Sequence, residues 1–211
     1  MFKLRLPAFA IVLSALLVLT SCGEKKAVEV SVATAAPTPA KNSFESSDIT
    51  GLAYGRDFKL TDHNGKVRTL ADFKGKAVVL FFGYTQCPDV CPTTLMEMAN
   101  AMKQLGPLSD KVQVLFVTVD PERDTAALLS KYVPAFDARF LGLIGDQAAT
   151  AEVAKEFKVF YQKVPGKDPG SYTMDHTAAS YVFDQDGRVR LYIRNSQTAD
   201  AIARDLKKLL S

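Results

Sequence analysis

The stretch KAVVLFFGY, residues 76 to 84, is apolar without a break from Ala77 to Phe82. A run of strand length with no polar alternation has no face to turn toward water. It therefore belongs in the middle of a sheet that is covered on both sides. KVQVLFVTVD, residues 111 to 120, reads as a second buried strand and is stopped by Pro121. Between the two runs, TTLMEMANAMKQLG predicts a helix ending near Gly106, with Leu95, Met98, Ala99, Met102 and Leu105 on one face. The pattern is a β-α-β unit, and two buried strands require layers of helix on either side.

The remaining segments extend this unit. YGRDFKLTDHNGKVRTL predicts a short hairpin around Asn64-Gly65, a dipeptide that accepts positive φ in a tight turn. DTAALLSKYVPAF predicts a helix that Asp124 caps and Pro134 ends. FLGLIG reads as a short strand or an extended link, and residues 146 to 159 as a helix. Residues 179 to 193 predict a second hairpin, turning on Asp186-Gly187. TADAIARDLKKLL closes the chain as an amphipathic helix with Ile202, Leu206, Leu209 and Leu210 inward. The expected class is α/β and thioredoxin-like: a central mixed sheet flanked by helices, with an extra N-terminal hairpin and an inserted helical crossover.

The N-terminal residues carry an address. Lys3 and Arg5 precede an uncharged, mostly apolar run from Leu6 to Leu19, short for a bilayer span, and small residues follow. This is the form of a secretory signal. Its ending, Leu19-Thr20-Ser21-Cys22, resembles the bacterial lipoprotein signal, in which Cys22 becomes the lipid-modified first residue. Residues 1–21 are thus expected to be a lipoprotein signal peptide and 22–47 a lipid-anchored flexible tether. Ala, Thr, Ser, Pro and Lys dominate that tether, which has too little apolar surface to offset its ordering entropy. The folded domain is expected over 48–211, at a membrane and facing the periplasm or cell exterior. Gly23 stands where many such proteins carry the aspartate that retains them at the inner membrane. Net charge is small, with 26 Lys and Arg against 23 Asp and Glu, and argues against a nucleic-acid partner.

With Cys22 taken by lipid, Cys87 and Cys91 are the remaining thiols of three cysteines. They lie in GYTQCPDVCPTTLMEM, between a buried strand and a helix N-terminus that favours thiolate over thiol. Cys91 is expected just ahead of the helix that Pro92 begins. The pair could lock a loop as a disulfide, turn over as a redox couple or clasp a soft metal ion.

His176 bears on that choice. It follows Asp175 in SYTMDHTAASYVF, the approach to a strand expected to face the cysteine loop. A thioredoxin-type reductant has two residues between its cysteines and a cis-proline in that approach. Here three residues intervene, and the approach contains no proline. Two thiolates and an imidazole suit Cu(I), and the imidazole also serves Cu(II). Structural zinc usually takes a fourth protein ligand, and none is evident. His63, in the polar turn TDHNGK, reads as a solvent-facing histidine and Arg123 as a solvated loop charge. Phe82 and Tyr84 read as core.

FFGYTQCPDVCPTTL, VTVDPERDT and DHTAASYVFDQDG occur in that order on this pattern. Together they resemble the Sco family, also called SenC or PrrC: membrane-tethered copper proteins of cytochrome c oxidase assembly. The resemblance covers residues from about 50 to the end. It implies copper ligands at Cys87, Cys91 and His176, with Cys87 and Cys91 also able to form a redox-active disulfide. It places Asp120 near the copper centre, where it could orient a ligand or simply help end its strand. Asp175 could similarly fix His176. The implied function is a monomeric metallochaperone that delivers copper to, or keeps cysteines reduced for, the dinuclear copper centre of oxidase subunit II or another copper protein. Rival readings are a periplasmic thiol-disulfide reductase using Cys87 and Cys91, copper storage, and a thiol peroxidase for which Thr85 and Arg123 are loose candidates.

Overall fold

The structure, a computed structural model, describes residues 43–211. The signal segment, Cys22 and the tether through residue 42 lie outside the described residues. In chain order the elements are β1 (Ser47–Asp48), β2 (Leu60–Asp62), β3 (Val67–Arg68), β4 (Ala77–Gly83), α1 (Val90–Leu105), β5 (Val112–Thr118), α2 (Ala126–Tyr132), β6 (Leu141–Ile144), α3 (Gln147–Glu156), β7 (Tyr161–Pro165), β8 (Tyr172–His176), β9 (Ala179–Phe183), β10 (Val189–Arg194) and α4 (Ala199–Leu209).

Eight strands form one mixed sheet in the order β1-β10-β9-β4-β5-β6-β2-β3. The two apolar runs are its centre: β4 pairs parallel with β5, with Ala77 opposite Val112 and Gly83 opposite Thr118. On its other side β4 pairs antiparallel with β9. Every residue of β4 and β5 is buried. Phe81 and Phe116 lie on the face that meets Tyr132 of α2, while Phe82, Tyr181 and Phe183 on the opposite face close around Phe157 just past α3. Apart from the partly buried Tyr132, each of these buried rings is worth roughly 1.5–3 kcal/mol over leaving it in water. The expected N-terminal hairpin turns at Gly65, whose φ of 84° only glycine adopts without strain. FLGLIG is a strand, β6, and it joins that hairpin to the sheet through Thr61 and Asp62.

Four local expectations give way. The N-cap of α2 is Thr125, whose side chain accepts from Leu128 N. Asp124 is instead buried beneath the cysteine loop. Helix α1 starts at Val90, so Cys91 and Pro92 sit inside its first turn, where the missing proline N–H has no intrahelical partner to lose. His63 is half-buried: Gly142 N donates to its Nδ1 at 3.0 Å, fastening the β2–β3 turn to β6. Burial holds its pKa below the usual histidine value. Finally, the approach to β9 is a strand. Residues Tyr172–His176 pair with Tyr161–Pro165 as a separate two-stranded sheet, β7–β8, with no ladder to the main sheet.

Ahead of β1, Asp205 of α4 accepts from Glu45 N and Ser46 N, each at 2.8 Å. Phe44 lies under the Lys208 ammonium at 4.3 Å. These contacts fix the first described residues to the last helix.

Candidate metal centre

The carboxyl end of β4 is the floor of the site. Val119 N donates to Gly83 O, which keeps the ends of β4 and β5 together. A side chain at Gly83 would put its Cβ 2.7 Å from the Phe116 ring and 2.9 Å from Cys91 Sγ. Only glycine leaves room for that sulfur against the sheet. Beyond it the chain rises through Tyr84, Thr85 and Gln86 to Cys87 and enters α1. Asp124 anchors this loop from below. Its carboxylate accepts from Thr85 N at 3.1 Å, Thr85 Oγ1 at 2.5 Å and Thr118 Oγ1 at 2.6 Å. Burial raises the Asp124 pKa against the pull of those donors.

The two cysteines are free thiols in unlike settings. Cys91 is fully buried and Cys87 half-buried. Cys91 N donates to Cys87 Sγ at 3.4 Å. The Cys91 thiol, with help from backbone donors of the first helical turn, holds Cys87 down to a pKa of about 5 against its own burial. The same contact, with burial, drives Cys91 far above the usual thiol range. Both effects favour the thiolate at the more open Cys87 and the thiol at the buried Cys91.

His176 closes the group from β8. Its Nε2 stands 3.6 Å from Cys91 Sγ, and its ring meets the edges of Tyr84 and Phe81 at 5.9 and 6.4 Å between centroids. Nδ1 is 3.1 Å from the Thr177 carbonyl, an acceptor only. A proton therefore sits on Nδ1, and Nε2 is the ring nitrogen that faces the sulfurs. The ligand atoms of Cys87, Cys91 and His176 all lie within 4.8 Å of one another. That separation is about twice a thiolate–metal bond of about 2.3 Å, so one ion between them meets all three after small shifts. Two sulfurs and one imidazole nitrogen are a soft donor set.

The outer residues fall out differently. Asp120 touches neither the cysteines nor His176. It accepts from Tyr172 Oη at 2.9 Å and from Arg123 Nε. Arg123 is no solvated charge: its guanidinium lies 3.5 Å from the centre of the Tyr172 ring. Asp175 does not hold His176. Strand alternation turns its side chain to the opposite, exposed face, and the Thr177 carbonyl takes the place expected for it. Tyr84 is core, as expected, and also one wall of the site. The roles of Thr177 and Gly83 carry no signal in a single sequence, since each depends on a backbone approach made only in the folded chain.

The ionisation of Cys87 has a direct readout. Its alkylation by iodoacetamide is expected to rise with pH around a midpoint near 5, since the thiolate is the nucleophile and exists above its pKa. Peptide mass spectrometry of the metal-free chain would follow Cys87 and Cys91 separately. A Cys87 midpoint near the ordinary thiol value of about 8.5 would sink this assignment.

A mixed sheet with a cysteine pair at its rim and a histidine brought in from a separate hairpin defines a thioredoxin-like protein with a Cys2His donor group. A family model described as SCO1/SenC matches residues 47–211. The chain belongs to the SCO1/SenC family. The mitochondrial SCO2 homolog of Bos taurus is 40% identical over 154 residues, covering 72% of this chain and 58% of that protein. The match thus spans less than two thirds of that relative's length. Among solved structures, Bradyrhizobium japonicum ScoI with copper bound is 47% identical, with a TM-score of 0.69 over 74% of this chain and 99% of that one. Apo Sco1 of Thermus thermophilus is 40% identical, with a TM-score of 0.72 over 81% of this chain and 99% of that one.

Proposed function

We propose that this chain is a copper metallochaperone whose cargo is held by Cys87, Cys91 and His176. It delivers copper to, or keeps cysteines reduced for, the dinuclear copper centre of cytochrome c oxidase subunit II. The observation that carries the reading is the convergence of those three ligand atoms within 4.8 Å at a rim that leaves Cys87 partly open. A relative of known structure with copper bound adds support. An incoming ion meets Cys87 already ionised, while Cys91 must give up its proton on binding. Three ligands leave a position through which a recipient's thiolate can enter, as cargo exchange requires. Oxidation of Cys87 and Cys91 to a disulfide would withdraw both thiolates, so loading depends on redox state.

The attachment belongs to the same reading. The chain acts as a monomer, tethered by lipid at Cys22 and facing the periplasm or cell exterior, with 22–47 as spacer to the domain at 48–211. Among the described residues no helix is long and apolar enough to cross a membrane.

A second reading, thiol-disulfide reduction, draws on the ionised, half-buried Cys87. That thiolate would attack a disulfide sulfur and Cys91 would resolve the mixed disulfide, without need of His176. Copper titration of the reduced full chain, alone and as His176→Ala, separates the two. We expect one copper per chain. The Cu(II)–thiolate absorption should be lost or greatly weakened in the variant, with Cu(I) still held by the two sulfurs. Absence of stoichiometric copper, or Cu(II) binding indifferent to His176, would move the assignment to the reductase.

A further inference from the structure

The hairpin that carries His176 has no hydrogen-bonded ladder to the main sheet, so side chains must set where the imidazole sits. Several attachments are generic. Met174 is buried, Phe160 and Thr177 exchange backbone and hydroxyl bonds at the base of the hairpin, and Lys163 pairs with Glu122. The last is an ion pair with both partners nearly half exposed, and such pairs contribute little.

Arg123 is different. It lies in the elbow after β5, and its side chain reaches three segments at once. Nε donates to the Asp120 carboxylate in the elbow itself. Nη1 donates to the Tyr172 carbonyl of β8 at 2.8 Å and to Gln86 Oε1, beside Cys87, at 3.2 Å. The guanidinium plane covers the Tyr172 ring and stands 5.7 Å from that of Tyr84. Tyr172 Oη returns to Asp120 at 2.9 Å, closing a ring of contacts. Among the described residues Arg123 Nη2 is buried without an acceptor, so the Asp120 carboxylate and the Tyr172 ring carry most of the compensation for the charge. A planar fork that donates in two directions and stacks on an aromatic face is beyond a lysine.

We propose that Arg123 is the positioning residue for His176: it clamps the β7–β8 hairpin to the cysteine loop and so holds the imidazole over the two sulfurs before any ion arrives. A ligand held in place in advance does not have to be ordered when it binds. Loss of the clamp frees the hairpin and leaves the cysteine pair intact. The part of this inference that concerns copper rests on the metallochaperone reading; the part that concerns the hairpin does not.

Hydrogen–deuterium exchange of the metal-free full chain tests the clamp directly. In Arg123→Ala and in Arg123→Lys, amides of residues 161–176 should exchange about 10-fold faster or more, with β4, β5 and α1 unchanged. Unchanged hairpin protection overturns the proposal. So does faster exchange spread evenly through the sheet, which would make Arg123 a general stability residue. The second measurement is Cu(I) affinity, which the two sulfurs keep measurable without the imidazole, in a double-mutant cycle with His176→Ala. Arg123→Ala should weaken Cu(I) binding by about 10-fold in the parent chain and change it little once His176 is gone. An equal loss in both backgrounds overturns action through His176. If the parent chain takes up no copper, the functional reading fails, and the exchange experiment still decides the clamp.

Discussion

Cys91→Ser is expected to abolish copper binding in both oxidation states, a loss of more than about 10³-fold relative to the parent chain. Cys91 is fully buried against Gly83 and the first turn of α1, so a serine oxygen would stand where the sulfur stood. The change replaces a soft donor by a hard, protonated one with little rearrangement around it. What remains is one thiolate and one imidazole, too poor a set for Cu(I) and stripped of the buried ligand that fixes the other two. The contrast with His176→Ala is diagnostic, since that variant keeps both sulfurs. Metal content after desalting, measured for Cu(I) and Cu(II) loading, decides the matter. Retention of one copper by Cys91→Ser would mean that the Cys2His group is not the site. The same substitution should also return the Cys87 pKa toward the ordinary thiol range, because the Cys91 thiol is the main cause of its depression.

Asp124→Ala should destabilise the fold by about 3–5 kcal/mol. The carboxylate is fully buried and answers one backbone N–H and two hydroxyls. Its removal leaves all three donors buried without that acceptor, each costing about 1–3 kcal/mol, offset in part by relief of a buried charge. For a domain of this size the melting temperature should fall by roughly 10 °C. Asp124→Asn keeps an acceptor at the same place, and the hydroxyls can reorient, so it should lose much less. Its pH dependence has a definite sign. Burial raises the carboxyl pKa in the folded state, so the folded chain binds that proton more tightly than the unfolded one. The contribution is present below the ordinary aspartate value of 3.8 and is lost as pH rises through the folded pKa. Asp124→Asn should therefore gain on the parent as pH is raised. Thermal unfolding at acid and neutral pH reads both effects. A fall of less than about 1 kcal/mol for Asp124→Ala would show that water replaces the carboxylate.

The sheet centre was legible because β4 is apolar at every position and β5 at all but Gln113 and Thr118, a pattern with one structural meaning. The three candidate ligand residues could be singled out because cysteine and histidine are rare here and carry their chemistry in their type. Position along the chain did not reveal the outer contacts. Arg123 and His63 both stand in polar surroundings in sequence, and each is drawn inward by a partner distant along the chain, Tyr172 for one and Gly142 for the other. Asp124 precedes a helix, where a cap is the ordinary role of an aspartate. Thr125 takes that role and frees the carboxylate for the cysteine loop. Strands β7 and β8 escaped because they pair only with each other: β7 is exposed at most positions and shows no alternation, and the alternation of β8 lasts only five residues with Met174 as its one buried position.

The separateness of that small sheet has a consequence for how the protein can change over evolutionary time. Of the two sulfur donors, Cys91 is embedded in the folding core and Cys87 is packed against it, so substitutions around them disturb packing that the whole domain needs. The third rides on an appendage whose strands share no ladder with that core. Insertions in its exposed turn at 166–171, or exchange of the whole appendage, would alter reach, approach and partner contact while leaving the cysteine socket as it is. The same division gives an engineer a fixed two-sulfur cradle into which a different third arm can be grafted.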